Sequence, residues 1–389
     1  MGKIFIKKDR EKLWYSGHPW IYSGAVEKIE GNPEAGSIIE VYNSRKEFIG
    51  YGHYNKSSKI MVRMLEKNGE KKVNLEWYCE KVREALQLRE MLGIRSNGYR
   101  LIHSESDFLP GVIVDRFGDY LVVQASTMGM ERDRNLLVEA FKREIPGLLG
   151  IYEKSEGDGR KLEGLEEKSG ILFGDVPDEI ETYEGDARFT IDLKGQKTGF
   201  YSDQRDNRIL MGALSKGKDF LDVCSYTGGF SLHAMVKGAK SATLIDVSED
   251  VLNVARKNLS GYEGVEYIKG NIFQVLRDLA KEGRKWDIVN LDPPKLAPNR
   301  RDLDKALKAY KDIILNGIKL TKNGGLLAIY SCSGAVTSSD LRMALAYAVK
   351  DAGVRAVIVN QLHQSQCHPV SVAVPETEYL KGFLVRIGE

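Results

Sequence analysis

The sequence predicts an α/β protein: a doubly wound parallel sheet in the C-terminal half, a β-rich N-terminal domain, and a small central α+β domain between them. Three observations carry this. From about Asp186 onward, short apolar runs alternate with helical periodicity, the pattern of strands joined by crossover helices. Before Leu65, the runs GSIIEVYN, EFIGYGHY and KIMVRML place Val, Ile and Tyr at alternate positions between Gly, Asn and Ser clusters, a pattern of short strands and turns. A chain of 389 residues also exceeds what one ordinary core organises. The expected boundaries are 1–68, 69–185 and 186–389.

The elements follow in order. The charged stretch Glu66–Lys72 reads as a linker. Leu75, Tyr78, Val82, Leu86 and Met91 recur at helical spacing and predict a helix over Asn74–Leu92. GVIVDRFGDYLVVQAS is two strands turning at Gly118-Asp119, followed by a helix over Met130–Glu144 and strands at GIYEKS and GILFGD. In the last region Asp219–Val223 is a strand, Gly229–Lys237 a helix, and Ala242–Asp246 the next strand. Ser248 then N-caps a helix with Glu249 and Asp250 in its first turn. Trp286–Asp292 is a strand, Leu303–Leu320 a long helix, Leu326–Ser331 a strand and Ser338–Lys350 a helix. VRAVIVNQ and GFLVRIG close the sheet, and with only a loop between them they pair antiparallel.

Composition narrows the classes. Hydrophobic residues at 42% and charged residues at 29% are an ordinary globular balance, and a net charge of +2 neither demands nor excludes nucleic acid. No run of about 18 apolar residues occurs, and the N-terminal residues show no secretory pattern, so the reading expects a cytoplasmic protein with no membrane span. Four cysteines (Cys79, Cys224, Cys332, Cys367) without C-x-x-C spacing predict neither a disulfide framework nor a metal site. Cys224 reads as core packing, Cys79 falls on the first long helix with no partner in view, and the adjacent pair Cys367-His368 alone does not make a ligand set.

In a doubly wound sheet, ligands bind beyond the carboxyl ends of the strands, where strand order reverses. The first strand there runs into LDVCSYTGGFS, in which Gly228 and Gly229 let backbone approach a ligand closely and then begin a helix. Asp246 ends the next strand and suits ribose hydroxyls. The loop lacks G-x-G-x-x-G, which disfavours nicotinamide and flavin dinucleotides. S-adenosylmethionine, a nucleoside without a pyrophosphate, fits better. In YIKGNIF, the side-chain carbonyl of Asn271 is placed to meet an adenine amine.

The fourth strand ends NLDPPK and the fifth ends IYSCSG, so Asp292 and Cys332 emerge at the same mouth of the sheet. That pairing suggests methylation at C5 of cytosine. C5 is too poor a nucleophile to take a methyl group directly, and a thiolate adding at C6 converts the ring into an enamine that can. Cysteine suits the task because a few per cent is thiolate even near pH 7. A carboxyl at Asp292 would hold the N3/N4 edge. Uracil is chemically close and stays open, as does the base that removes the C5 proton.

With these residues placed, the chain resembles the ribosomal RNA large-subunit 5-methylcytosine methyltransferases of the three-domain type. SGHPWIYSGAV and FIGYGHYNKSSKIMVRML resemble that family's PUA strands, and KTGFYSDQRDNR, SYTGGFS, LDPPK, SCS and PETEYLKG its catalytic motifs, so the likeness spans essentially the whole chain. It implies a PUA domain, a central α+β domain and a Rossmann-like class I methyltransferase domain. It implies Cys332 as nucleophile, Asp292 as the base-binding acid, and S-adenosylmethionine as cofactor. Ser225, Tyr226, Thr227, Gly228, Gly229, Phe230, Asp246, Val247, Asn271, Ile272, Asp292, Gln204 and Arg205 would surround that cofactor. RNA is the implied partner; the oligomeric state stays open, with a homodimer as one form the resemblance allows.

The RNA contacts are expected from two segments. Lys197, Phe200, Tyr201 and Arg208 make an aromatic-basic cluster, and Lys295, Arg300 and Arg301 begin a stretch to Lys311 with six basic residues against Asp302 and Asp304. Two rivals remain at this level: an N-methyltransferase acting on a purine in RNA, and a non-catalytic PUA-type RNA-binding assembly factor. Lys295, standing after Pro294 where N-methyltransferases often carry a base-stacking aromatic, weighs against the first. Gly228, Gly229, Asp246, Asp292 and Cys332 together weigh against the second.

Overall fold

The computed structural model describes residues 1–192 and 200–388, which gather into two compact units interleaved along the chain. The first holds the described residues of Met1–Ile180, Ile191–Ser202 and Gln366–Thr377; the second those of Glu181–Thr190, Asp203–Ser365 and Glu378–Glu389.

The first unit opens with β1 (Lys3–Ile6), α1 (Lys12–Tyr15), β2 (Trp20–Tyr22), β3 (Val26–Glu30), β4 (Ile38–Tyr42), β5 (Phe48–Tyr54) and β6 (Ile60–Glu66). These strands form one sheet in the order β2-β6-β5-β4-β1-β3. Alternate residues Ile4, Ile6, Ile39, Val41, Val62 and Met64 point into a shared core, the half-buried period-two pattern of its strands. Then come α2 (Leu75–Met91), β7 (Gly98–His103), β8 (Val112–Phe117), β9 (Tyr120–Ala125), α3 (Met128–Arg132), α4 (Arg134–Glu144), β10 (Gly150–Ser155), α5 (Asp158–Leu162) and β11 (Lys168–Gly174). Their sheet runs β11-β10-β9-β8-β7. Asn74 caps α2 by accepting from the Trp77 N–H at 3.1 Å.

The helix expected over Met130–Glu144 is two helices, broken at Asp133. The Asp133 carboxylate accepts from the Tyr78 hydroxyl at 2.8 Å and faces His53 Nε2 at 2.9 Å, and the chain bends to make both contacts. Glu163, 3% exposed, fastens the N-terminal strands to the central module. It accepts from Asn55 Nδ2 at 2.9 Å, Ser58 Oγ at 2.5 Å and Arg63 Nη1 at 2.8 Å.

A two-stranded sheet, β12 (Glu179–Glu184) with β13 (Ala187–Asp192), follows. The second unit then alternates α6 (Arg205–Ala213), β14 (Asp219–Val223), α7 (Gly229–Val236), β15 (Ser241–Asp246), α8 (Glu249–Asn258), β16 (Val265–Lys269), α9 (Ile272–Lys281), β17 (Trp286–Leu291), α10 (Leu303–Leu320), β18 (Thr321–Ser331), α11 (Ser338–Ala352), β19 (Arg355–His363) and β20 (Lys381–Gly388). The seven strands order as β16-β15-β14-β17-β18-β20-β19. All pair parallel except β20, which runs antiparallel to both neighbours, as expected of the closing pair. β18 begins five residues before the expected Leu326, and its register against β17 shifts between Trp286 and Ile288, which accommodates Gly324 and Gly325. Strand order reverses between β14 and β17, so a ligand crevice is expected beyond Val223 and Leu291. Among the described residues no helix is long and apolar enough to cross a membrane.

Candidate active site

The loop from β14 to α7 is bent by three left-handed residues in five: Cys224 at φ 60°, Tyr226 at φ 50° and Gly228 at φ 79°. Non-glycine residues held there store strain, a recurrent property of ligand-binding loops. Gly228 also has no room for a side chain, since a Cβ would stand 3.0 Å from Leu244 Cδ2 and 3.2 Å from Ala255 Cβ. Asp246, one strand over, accepts from the Tyr226 N–H and the Ser248 N–H, each at 3.0 Å, and so fixes this loop to the end of β15. Val247 beside it is 68% exposed, an apolar face at the strand end.

The site residues expected to hold a cofactor separate into three groups. Ser225, Thr227, Gly228 and Asp246 line the crevice mouth, and the buried Ser225 hydroxyl finds no hydrogen-bond partner among the described residues. Phe230 is buried behind the loop, its ring 5.6 Å from that of Tyr330, and Ile272 belongs to the core, so both shape the crevice from behind. Asn271 is exposed, but its side-chain carbonyl caps α9 by accepting from the Phe273 N–H at 3.0 Å, which directs that oxygen toward the helix. An orphaned buried hydroxyl, a glycine cradle and a carboxylate at the end of the second strand together suit the sugar and amino-acid parts of a nucleoside cofactor.

Asp292 follows β17, and Gln204 Nε2 donates to its Oδ2 at 3.0 Å. Asn207 Nδ2 in turn donates to Gln204 Oε1 at 2.6 Å and orients it. The Asp292 carboxyl is pushed up to about 7, chiefly by burial and then by repulsion from Asp203, with Asp222 adding and Gln204 and Arg208 opposing. Asp222, wholly buried beneath, is pushed up to about 6 by burial, although Ser231 and Asn290 donate to it.

Cys332 is half-buried immediately beyond β18. Leu291 pairs with Ile329, so the ends of β17 and β18 lie side by side. Strand spacing and rise place Asp292 and Cys332 about 8 Å apart across the mouth, the scale of one pyrimidine with its contacts. Their loops are tied together, because the Ala297 N–H donates to Ser333 Oγ at 3.2 Å. Tyr310 of α10 donates to Ser331 Oγ at 2.8 Å, and its phenol is raised by burial and, more weakly, by the charges of Cys332 and Asp292. Cys224 differs: burial pushes its thiol well up, with Asp292, Asp246 and Asp222 adding, so it is an inert thiol at neutral pH.

The basic candidates divide. Lys295, Arg300 and Arg301 are exposed. Arg208 is not the RNA-facing residue expected from its sequence neighbourhood: it is 4% exposed and its guanidinium is held bidentately by the buried Glu184, which also meets His233 Nε2 at 3.1 Å. Arg205 is likewise buried, against Asp206. Phe200 is 5% exposed in the first unit, with its ring 6.4 Å from Phe117, and so is removed from solvent, while Tyr201 is half-buried. Lys197 lies outside the described residues.

Sequence reasoning passed over Asp203, Tyr379 and Lys381, which the structure brings to this end of the sheet. Tyr379 donates to Asp203 Oδ2 at 2.7 Å, and Lys381 pairs with Ser331 across β20 and β18. All three lie in motifs already noted, SDQRDNR and PETEYLKG, whose other residues drew the attention.

The topology, the strained loop and the acid at the end of the second strand define a Rossmann-like methyltransferase, of the class that takes S-adenosylmethionine as its cofactor. Comparison with known proteins narrows this. Residues 4–67 match the model of a PUA-like domain, and residues 208–315 that of a family described as conserved hypothetical protein 95. A protein from Tolumonas auensis named ribosomal RNA large subunit methyltransferase I is 37% identical over 392 residues, covering 98% of each chain. A protein of the same name from Aeromonas hydrophila is 38% identical over 394 residues, covering 99% of each. The chain belongs to the ribosomal RNA large subunit methyltransferase I family. Its fold is shared by a candidate S-adenosylmethionine-dependent methyltransferase from Streptococcus mutans, at a TM-score of 0.83 and 20% identity over 99% of this chain and 100% of that one. A second candidate methyltransferase, solved with S-adenosylhomocysteine, superposes at 0.84 with the same identity and coverage.

Proposed function

We propose that this protein methylates C5 of a cytosine in large-subunit ribosomal RNA, with Cys332 as the nucleophile that adds to C6. The observation that carries the reading is a half-buried cysteine and a near-neutral carboxyl on adjacent strand ends, about 8 Å apart by strand spacing and rise. The names of the relatives supply the RNA class.

Ser225, Tyr226, Thr227, Gly228 and Gly229 would cradle the cofactor, Asp246 its ribose, and Val247 the adenine side. When bound, S-adenosylmethionine supplies an electrophilic methyl group. Asp292, held by Gln204, is protonated in a large fraction of molecules near neutrality, and it offers that proton to the N3 edge of the base. The Cys332 thiolate would form a bond to C6 and the C5–C6 π pair would move to C5, which would take the methyl carbon as the sulfonium C–S bond breaks with its pair left on sulfur; the N3 proton would then return to Asp292. Loss of the C5 proton to a base returns the pair to C5–C6 and expels the thiolate, so the enzyme is regenerated. Lys295, Arg300 and Arg301 are the exposed cations for the RNA backbone. The same proposal keeps the three-domain division at 68 and 185, a cytoplasmic setting, and a dimer, which light scattering would register as twice the 43.6 kDa chain.

The test is incubation with RNA carrying 5-fluorocytidine, whose C5 fluorine cannot leave as a proton does. A covalent adduct mapped to Cys332 is expected. Cys332→Ala should abolish transfer with cofactor affinity unchanged. Methylation by the alanine variant, or a methylated purine in digested product, would refute the proposal in favour of N-methyl transfer; 5-methyluridine would move the target to uracil.

A further inference from the structure

Lys381 is 8% exposed, yet among the described residues no carboxylate lies within ion-pair distance of its ammonium. A buried cation without an anionic partner is costly, so its retention calls for a local purpose. Its Nζ donates to the Ser333 carbonyl at 2.9 Å and the Val336 carbonyl at 2.7 Å, both in the turn that follows Cys332. The backbone places it there: Lys381 pairs with Ser331 across β20 and β18. The next residue, Gly382, lies so close to β18 that a Cβ would stand 2.6 Å from the Ile329 carbonyl oxygen, so β20 is pressed onto the strand that carries the cysteine.

We propose that Lys381 is the positioning residue for Cys332: its ammonium pins the Ser333–Val336 turn and supplies the positive charge that holds the neighbouring sulfur as a thiolate. The inference rests on the reading of Cys332 as the nucleophile. Two of the three N–H groups are spent on carbonyls, which carry no formal charge, and the buried cation finds its counter-charge when the thiol ionises. Glu378 and Asp340 act on Lys381 with Cys332, the Tyr310 phenol faces the sulfur from α10, and Asp292 stands on the neighbouring strand end, where its charge acts on Tyr310 along with that of Cys332 and opposes the lysine's effect on the thiol. Burial lowers the lysine from its ordinary value, and Cys332, Glu378 and Asp340 act to raise it. The pairing explains why thiolate chemistry is placed at Cys332 and not at Cys224, which is surrounded by three carboxylates.

The experiment follows iodoacetamide alkylation of Cys332 in the full chain by peptide mass spectrometry from pH 6 to 10. In the wild type the titration midpoint should lie below the ordinary thiol value of about 8.5. K381M, which keeps the stem and removes the charge, should raise that midpoint and slow alkylation at pH 7 by about tenfold or more, and K381R should restore part of the rate. Its kcat should fall with little change in RNA KM, and its pH optimum should move upward. A melting curve and a cofactor titration establish that K381M is folded. A wild-type midpoint at or above 8.5 overturns the inference without any variant, as does an unchanged midpoint in folded K381M. If alkylation depends on Lys381 but 5-fluorocytidine RNA forms no adduct, the charge pairing stands and the nucleophile reading fails.

Discussion

Replacing Asp292 by asparagine should stabilise this protein while inactivating it, and the gain should grow with pH. The folded carboxyl titrates near 7 because burial and the Asp203 and Asp222 charges oppose its ionisation. In the unfolded chain it titrates near its ordinary value of 3.8. At about 1.36 kcal/mol per tenfold, ionising it in the folded state is harder by about 4 kcal/mol. Asp292 is only half-buried, and solvent screening reduces this to about 2–4 kcal/mol. The sign is set by proton uptake. Between about pH 4 and 7 the folded chain holds more protons than the unfolded one, so stability falls as pH rises through that window and is level above it. Asp292→Asn removes the penalty and retains an oxygen to accept from Gln204 Nε2. Urea unfolding at pH 8 should then show a gain of about 2–4 kcal/mol, shrinking to about 1 kcal/mol at pH 5, where the folded carboxyl is already protonated. An equal gain at both pH values, or a variant less stable at pH 8, would refute the claim that a destabilised carboxyl is stored at the mouth of the sheet.

Three further outcomes test other parts of the molecule. Glu163→Ala should lower stability by about 3 kcal/mol, because it leaves Arg63 half-buried with its partner gone; Glu163 is held below the usual carboxylate value, so acid should erase the difference from wild type in thermal melts as pH falls below about 4. Arg208→Met should cost about 3–5 kcal/mol by stranding the buried Glu184, and RNA affinity per folded molecule should be unchanged in filter binding, contrary to a phosphate-contact role. Gly228→Ala should weaken S-adenosylmethionine binding at least tenfold by calorimetry, since a left-handed backbone and contacts at 3.0–3.2 Å leave the methyl no strain-free place.

The doubly wound sheet was legible because its strands are apolar runs bounded by turn residues, and Asp246, Asp292 and Cys332 end three of them or stand just beside their ends. What stayed hidden depended on partners distant in sequence. Arg208 reads as one of a cluster of surface cations until Glu184, 24 residues earlier, is seen to bury it. The break at Asp133 is invisible in a helical pattern because Tyr78 and His53, which cause it, belong to other segments. β1 and β3 are short and partly charged, and their register against β4 and each other defines them better than their own composition. Lys381 carries no local sign of burial; only the antiparallel closing strand brings it beside Ser331.

The interleaving of the two units has a consequence for how the chain is made. The buried Arg89–Asp107 pair in the first unit is completed by the Cys367 carbonyl, which accepts from Arg89 Nη2 at 3.0 Å, and His103 meets the Thr377 carbonyl at 3.4 Å. A ribosome working from the N-terminus therefore exposes nearly all of the first unit long before its last segment, Gln366–Thr377, exists. The half of the protein synthesised first is completed only after all but the closing strand of the methyl-transfer sheet has been made, so its core waits open while most of the second unit is synthesised.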